Sequence, residues 1–281
     1  MTQKQVVVVT GCTAGGIGYS MAKTFAQQGN VVFATARRIE AMAGIEEFGC
    51  EKVALDVTSK ESIEAAVKTI IDKAGRIDVL VNNAGLPAVG ALLDIDIEDA
   101  QRCVNTNVFG LLAVTKEVCK YMIPQKSGKI VNIGSVVGYK STPWAGIYAL
   151  SKAAVHSMSD TLRLELKPFN IQVTVVAPGG ITSNFGKASE SQVSVPEDSV
   201  YASVSKFIIA RANMSQGPGS TRTDDFSAHI VKRVLQSQMP PYVTYGSGSW
   251  IFFSLYYLPA WFRDLLFFKR FGLDQLKYKS A

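Results

Sequence analysis

The chain is expected to fold as a single α/β domain built on a doubly wound parallel sheet, and three observations carry that expectation. From the start to about residue 177, apolar runs of strand length alternate with amphipathic stretches of helix length, the pattern of a parallel sheet covered on both faces. A glycine-rich turn separates the first run, Val6-Val7-Val8-Val9, from the first amphipathic stretch. With 281 residues and 47% hydrophobic content, the chain has ample material for one continuous core.

In chain order, the four valines open a strand near 5–10, and the amphipathic stretch after the glycine turn predicts a helix near 17–29. Apolar runs predict further strands near 30–36, 51–56, 77–82, 128–134 and 170–177. Helical periodicity predicts helices near 60–74, 96–120 and 146–168 between them. Right-handed crossovers joining these elements leave a doubly wound sheet as the leading topology. Pro178-Gly179-Gly180 ends the sixth strand. The segment 183–223, rich in Ser and Gly with Pro196 and Pro218, reads as a mobile substrate lobe beside the site. A helix near 225–238 and a seventh strand, Tyr242 to Tyr245, close a domain drawn as residues 1–245, leaving 246–281 as an apolar tail.

Composition narrows the function. Four scattered cysteines, Cys12, Cys50, Cys103 and Cys119, form no C-x-x-C pair and no disulfide framework, as expected in a reducing compartment. The formal charge of +6 comes without a Lys/Arg-rich run interleaved with aromatics, so no nucleic-acid partner is expected; a membrane surface or an anionic small molecule suits the charge better. With the valine run beginning at Val6, no signal or transit sequence is expected. His156 and His229, the only histidines, lie on different segments, and no metal site is expected.

The loop Thr10-Gly11-Cys12-Thr13-Ala14-Gly15-Gly16-Ile17-Gly18 joins a strand to a helix, where a turn free of Cβ atoms lets backbone approach a pyrophosphate at the helix N-terminus. The second strand ends in Thr35-Ala36-Arg37-Arg38. No carboxylate stands there to hydrogen-bond a ribose and repel a 2′-phosphate, and Arg37 offers a planar fork to that phosphate, so NADP(H) is the expected cofactor. Tyr148 and Lys152, four residues apart, share one helix face. A cation that close is expected to lower the phenol's pKa toward neutrality and make it a general acid.

The glycine loop, Asn82-Asn83-Ala84-Gly85 after the fourth strand, Ser135 after the fifth, and Tyr148 and Lys152 thirteen and seventeen residues further on resemble the short-chain dehydrogenase/reductase family, over about residues 5–185. The resemblance implies a Rossmann-type fold and a hydride exchanged between NADPH/NADP and a ketone. It makes Tyr148 the general acid/base, Lys152 the cation that tunes it and holds the nicotinamide ribose, and Ser135 the donor to the substrate oxygen. Asn107 becomes the helix asparagine that positions a relay water. For the cofactor it implies Gly11, Gly16, Ile17 and Gly18 in the glycine loop, Asp56 at the adenine, Asn83 in the adenosine pocket, Thr182 at the nicotinamide carboxamide, and Tyr148, Lys152 and Ile181 among the further cofactor-binding residues. The loop departs from the family pattern: four residues, not three, separate Gly11 from Gly16, which leaves open whether Gly15 or Gly16 meets the pyrophosphate.

Residues 250–273 are mostly aromatic and aliphatic. A spanning helix needs about 20 apolar residues, and Pro259 and the Arg263-Asp264 pair interrupt this run. With Arg263, Lys269, Arg270, Lys277 and Lys279 at or after its end, the segment reads as an interfacial anchor or a flap over an apolar channel, with a packed terminal helix or dimer contact as the plain alternative. The tail, the Thr-Ala-Arg-Arg strand end and the Pro-Gly-Gly-Ile-Thr loop look most like the fungal NADPH-dependent 1-acyl-dihydroxyacetone-phosphate reductases and their 17β-hydroxysteroid dehydrogenase relatives. That likeness implies a lipophilic ketone substrate and an address on the cytosolic face of the endoplasmic reticulum or a lipid droplet, the alternative being cytoplasmic. Lys140, Lys187 and Arg211 are the basic residues placed to meet a substrate phosphate; a steroid, retinoid or secondary-metabolite ketone would need none. A lipid-surface hydrolase is disfavoured, since no G-x-S-x-G elbow occurs. A homodimer or homotetramer remains open.

Overall fold

A computed structural model of the chain describes residues 4–277, apart from the side chains at 187 and 192. Strands β1 (Val6–Thr10), β2 (Val31–Ala36), β3 (Glu51–Ala54), β4 (Val79–Asn82), β5 (Gly128–Ile133), β6 (Ile171–Pro178) and β9 (Tyr242–Tyr245) form one parallel sheet in the order β3-β2-β1-β4-β5-β6-β9. A second, two-stranded piece pairs β7 (Ile181–Thr182) with β8 (Thr221–Arg222). The chain runs outward from β1 to β3 and then returns to place β4 on the other side of β1. That reversal opens a crevice at the carboxyl ends of the strands, which is where doubly wound sheets hold ligands.

The valines of β1 explain the layering. Side chains alternate across a strand, so Val7 and Val9 pack with Phe25, Phe226 and Ile230 on one face, and Val6 and Val8 with Ile63, Ile70, Val114 and Met122 on the other. The first face is covered by α1 (Ile17–Gln27) and α8 (Thr223–Val234), and the second by α2 (Lys60–Ala74) and α4 (Leu111–Gln125). Capping follows the local sequence. The Ser59 hydroxyl accepts from the Ser62 N–H at the start of α2, and Gly75 takes a left-handed conformation at its end.

The helix expected near 96–120 is longer and irregular. It runs as α3 (Ile97–Val104), a wide π-type turn over Asn105–Gly110, and then α4, which carries Pro124 in its last turn. Periodicity carries no signal for such a widening; its consequence is to seat Asn107 deep in the protein. The helix expected near 146–168 is α5 (Gly146–Glu165), ended before Pro168. The lobe read as a mobile segment carries two helices, α6 (Asn184–Gln192) and α7 (Ser205–Ala212), with Val204, Ile208 and Ala212 buried.

The tail forms α9 (Ser249–Tyr257) and α10 (Ala260–Arg270), broken at Leu258-Pro259. It is not a detached appendage: Phe271 is buried with Trp144, Val204 and Ile208, and the Trp144 indole donates to the Phe271 carbonyl at 3.0 Å. Among the described residues no helix is long and apolar enough to cross a membrane. Trp144→Phe keeps much of the ring but removes that donor, a loss of about 0.5–1.5 kcal/mol. Limited proteolysis within 246–277 should accelerate in this variant, and an unchanged cleavage rate would show that apolar packing alone holds the tail.

Candidate active site

The glycine loop closes the bottom of the crevice. Gly11 sits at φ +72°, and a Cβ there would lie 2.7 Å from Ala84 Cα, so only glycine fits. Gly18 answers a different constraint, since a Cβ on it would come within 2.4 Å of Asn83 Nδ2, and its lack of a side chain seats α1 against the end of β4. Gly16 caps α1 without any side-chain hydrogen bond, and no acidic residue occupies the first turn. This open, uncapped helix N-terminus fits an anion such as a pyrophosphate. Gly16 and Ile17 line the cavity, whereas Gly15 turns toward Asn184, whose Nδ2 donates to the Ala14 carbonyl at 2.6 Å. Asn184, which sequence reasoning does not single out, thus ties the start of α6 (Asn184–Gln192) to the glycine loop.

Around the loop, Arg37, Asp56 and Asn83 also line the cavity. The Asn83 amide is engaged by the Thr10 and Gly11 carbonyls at 2.9 and 3.0 Å. Asp56 accepts from the Thr58 N–H and hydroxyl at 2.9 and 2.7 Å. Partial burial alone would raise its pKa, but these bonds and the nearby Arg37 charge hold the carboxyl below its usual range. Ile181 lines the cavity, but Thr182 does not: its side chain is exposed, and its carbonyl accepts from the Thr223 hydroxyl.

The chemistry-bearing residues meet where β5 ends against α5. Ser135, Tyr148 and Lys152 line one cavity of about 940 Å³. Lys152 Nζ donates to the Ile133 carbonyl at 2.8 Å and lies 5.6 Å from the centre of the Tyr148 ring. Asn107 stands behind them. Its Oδ1 accepts from the Leu86 N–H at 2.7 Å, and its Nδ2 donates to the Leu86 carbonyl and the Ser151 hydroxyl, both at 3.0 Å.

One expectation is corrected. Tyr148 is not brought down toward neutrality; burial raises its pKa, the Cys103 thiol adds to the rise, and Arg211 and Ser135 oppose it only in part. Burial also lowers Lys152 to about 8. The desolvation of a phenolate exceeds what the neighbouring charges return. The phenol therefore holds its proton at neutral pH, the state required to protonate a carbonyl oxygen.

Two further residues bear on the site. His156, on α5, accepts from the Ser135 N–H at 3.4 Å and stacks edge-on against Tyr139 at 4.9 Å. Burial and the Lys152 charge push it down to about 4, so it is neutral. Phe185, from α6, packs 5.5 Å from the Tyr148 ring. An apolar part of the wall comes from the tail: Ile251, Phe252, Leu255, Phe267 and Phe271. Of the cations proposed for a phosphate, Arg211 lines the cavity. Lys140 does not; its ammonium sits over the Tyr256 ring at 5.0 Å. The Lys187 side chain and Lys279 lie outside the described residues.

A nicotinamide cofactor bound over Gly16 would supply or take the hydride. The chain itself supplies the rest. In the roles expected of them, Tyr148 would give its phenolic proton to the oxygen, Ser135 on the same cavity would hydrogen-bond the developing charge, and the Lys152 ammonium would stabilise the phenolate left behind.

Tyr148→Phe keeps the ring and loses the transferable proton, so reduction should fall by at least about 10²-fold with cofactor still bound; near-normal turnover would sink this assignment. Below its pKa Lys152 is charged, so kcat/KM for reduction should drop on the alkaline side with a limb near the free-enzyme value of about 8. Lys152→Met should abolish that limb. Because folding depresses this pKa, the unfolded chain binds more protons between about 8 and 10.5, and the group's contribution to stability rises with pH across that window.

The family model for short chain dehydrogenase matches residues 5–194. An NADPH-dependent 1-acyldihydroxyacetone phosphate reductase of Schizosaccharomyces pombe is 35% identical over 219 residues, covering 76% of this chain and 73% of the relative. A short-chain dehydrogenase of Penicillium ochrochloron is 34% identical over 276 residues, covering 97% of this chain and all of the relative. Among solved structures, a short-chain dehydrogenase from Streptomyces avermitilis superposes with a TM-score of 0.80 at 27% identity, covering 98% of this chain and 99% of the other. The chain belongs to the short-chain dehydrogenase/reductase family and is an oxidoreductase acting between CH–OH and C=O.

Proposed function

We propose that the protein uses NADPH to reduce the ketone of 1-acyl-dihydroxyacetone phosphate, giving 1-acyl-glycerol 3-phosphate for glycerolipid synthesis. One observation carries the reading: the aromatic tail lends Ile251, Phe252, Leu255, Phe267 and Phe271 to the cavity that Tyr148 lines, apolar surface suited to a long acyl chain. The Schizosaccharomyces pombe relative bears that activity in its name. The absence of an acid at Ala36, with Arg37 on the cavity wall, supports NADPH over NADH. A steroid, retinoid or secondary-metabolite ketone is the alternative, and it rests on the apolar wall alone.

The outward sides of α9 and α10 support a location on a lipid surface, as at the cytosolic face of the endoplasmic reticulum or a lipid droplet. Trp250 and Trp261 are 71% and 69% exposed, and Phe253, Tyr257, Leu265, Leu266 and Phe268 join them beside Lys269 and Arg270. An apolar face edged with cations suits an anionic bilayer interface.

Purified protein offered 1-acyl-dihydroxyacetone phosphate beside a steroid ketone should prefer the former by kcat/KM; preference for the steroid would select the alternative. Arg37→Ala combined with Ala36→Asp should move the NADPH/NADH ratio of kcat/KM at least about tenfold toward NADH, since a charge-assisted contact is lost and a repelling carboxylate gained. Full-length protein should float with anionic liposomes, and recovery of all of it from the supernatant would count against surface binding.

A further inference from the structure

The proton chemistry proposed for Tyr148, Ser135 and Lys152 leaves unassigned another charged group that lines the same cavity, Arg211. Arg211 stands at the end of α7, which is anchored by the buried Ile208 and Ala212. Its Nε donates to the hydroxyl of the buried Thr142 at 3.2 Å. That bond fixes the plane of the guanidinium and leaves its two terminal nitrogens unused by it. Arg76, Arg102 and Arg163 each hold a carboxylate. Among the described residues, none lies within salt-bridge distance of Arg211. Burial lowers its pKa, and Tyr148 and Arg211 sense each other's charge. A desolvated cation without a partner is costly, and a planar fork held on one edge is pre-organised for a tetrahedral or planar oxyanion.

We propose that Arg211 is the residue that selects the substrate, receiving a phosphate carried on the carbon next to the ketone. Arg211 and Tyr148 line one cavity, so the anion and the carbonyl oxygen are engaged from two sides, while the rest of the molecule runs along the apolar tail. A neutral ketone leaves the guanidinium unpaired and is disfavoured for that reason. The assignment deepens the function proposed above and rests on it for the identity of the anion. Lys140 is excluded from the role by its place outside the cavity. Arg270, which is exposed on the tail but also lines the cavity, is the rival.

The test compares kcat/KM for 1-hexadecanoyl-dihydroxyacetone phosphate with that for its dephosphorylated counterpart. In Arg211→Met the ratio of the two should fall at least about tenfold, the loss of one charge-assisted contact. Arg211→Lys should lie between, and Arg270→Met should shift the ratio less than Arg211→Met does. Equal losses on both lipids would overturn the proposal, because Arg211 would then be acting on Tyr148 or on the fold. A larger shift in Arg270→Met would also overturn it, placing the anion at the tail. If Arg211→Met does not fold, Thr142→Val decides: loosening the guanidinium should lower the same ratio, and an unmoved ratio in both Thr142→Val and Arg211→Lys rejects the role. Calorimetric binding of dodecyl phosphate to the NADPH-loaded enzyme separates the two readings. If neither lipid is reduced but dodecyl phosphate binds at least about tenfold more weakly to Arg211→Met, the substrate named above is wrong and the anion site stands. If its binding does not depend on Arg211, the anion site falls.

Discussion

The site depends on how one face of α5 is buried against the end of β5. That face is polar, which is costly unless each group finds a partner, and each does. Ser151 accepts from Asn107, Lys152 donates to the Ile133 carbonyl, His156 accepts from the Ser135 N–H, and Ser159 accepts from Asn132 at 2.9 Å. Asn132 in turn accepts from Asn82, whose amide also reaches Thr115 on α4. The chain of contacts crosses β4, β5, α4 and α5, so the register of the catalytic helix is set by hydrogen bonds as well as by packing. A slip of the helix along β5 would break several bonds together.

The same burial creates the chemical tension at the centre of the site. Removing water raises Tyr148 and lowers Lys152, so the phenol keeps its proton while the neighbouring ammonium sits close to losing its own. The pairing does not make Tyr148 a strong acid at rest. If Tyr148 is the acid, its proton is stored in a phenol with a cation placed where charge would appear only once that proton leaves, which would stabilise the transition state in preference to the ground state. His156 fits this scheme as a support behind Ser135: neutral, buried and hydrogen-bonded, it adds no competing charge beside Lys152.

Much of this is legible in the sequence, and the reasons differ by element. Four consecutive valines beside a glycine turn are visible because a parallel strand buries both faces and leaves an unbroken apolar run. Tyr148 and Lys152 are visible because helical spacing puts them together. The π-type turn at Asn105–Gly110 is not, since one extra residue in a helical turn leaves no compositional trace, and neither are the partners of Asn107 and His156, which come from distant segments. Asn184 is invisible for the same reason: its contact with Ala14 spans 170 residues. Spacing also points the Tyr148 shift the wrong way, because it reports the neighbouring charge and carries no measure of desolvation, which here is the larger effect.

The tail shows how one segment can serve two solvents. In α9, Ile251, Phe252 and Leu255 meet the cavity, while Trp250, Phe253, Tyr256 and Tyr257 leave large exposed areas. A helix that is apolar nearly all round normally lies in a core or a membrane, and this one has the protein on one side only. Buried Phe271 and its bond to Trp144 explain how such a helix stays docked. The break at Pro259 turns α10 so that Phe267 also reaches the cavity while Trp261, Leu265 and Phe268 stay exposed. Cavity wall and exposed apolar surface are therefore the two sides of the same pair of helices. If the protein sits on a lipid surface as proposed above, a lipophilic substrate entering at this face would exchange one apolar surface for another, and much of the transfer free energy that favours its burial would be retained.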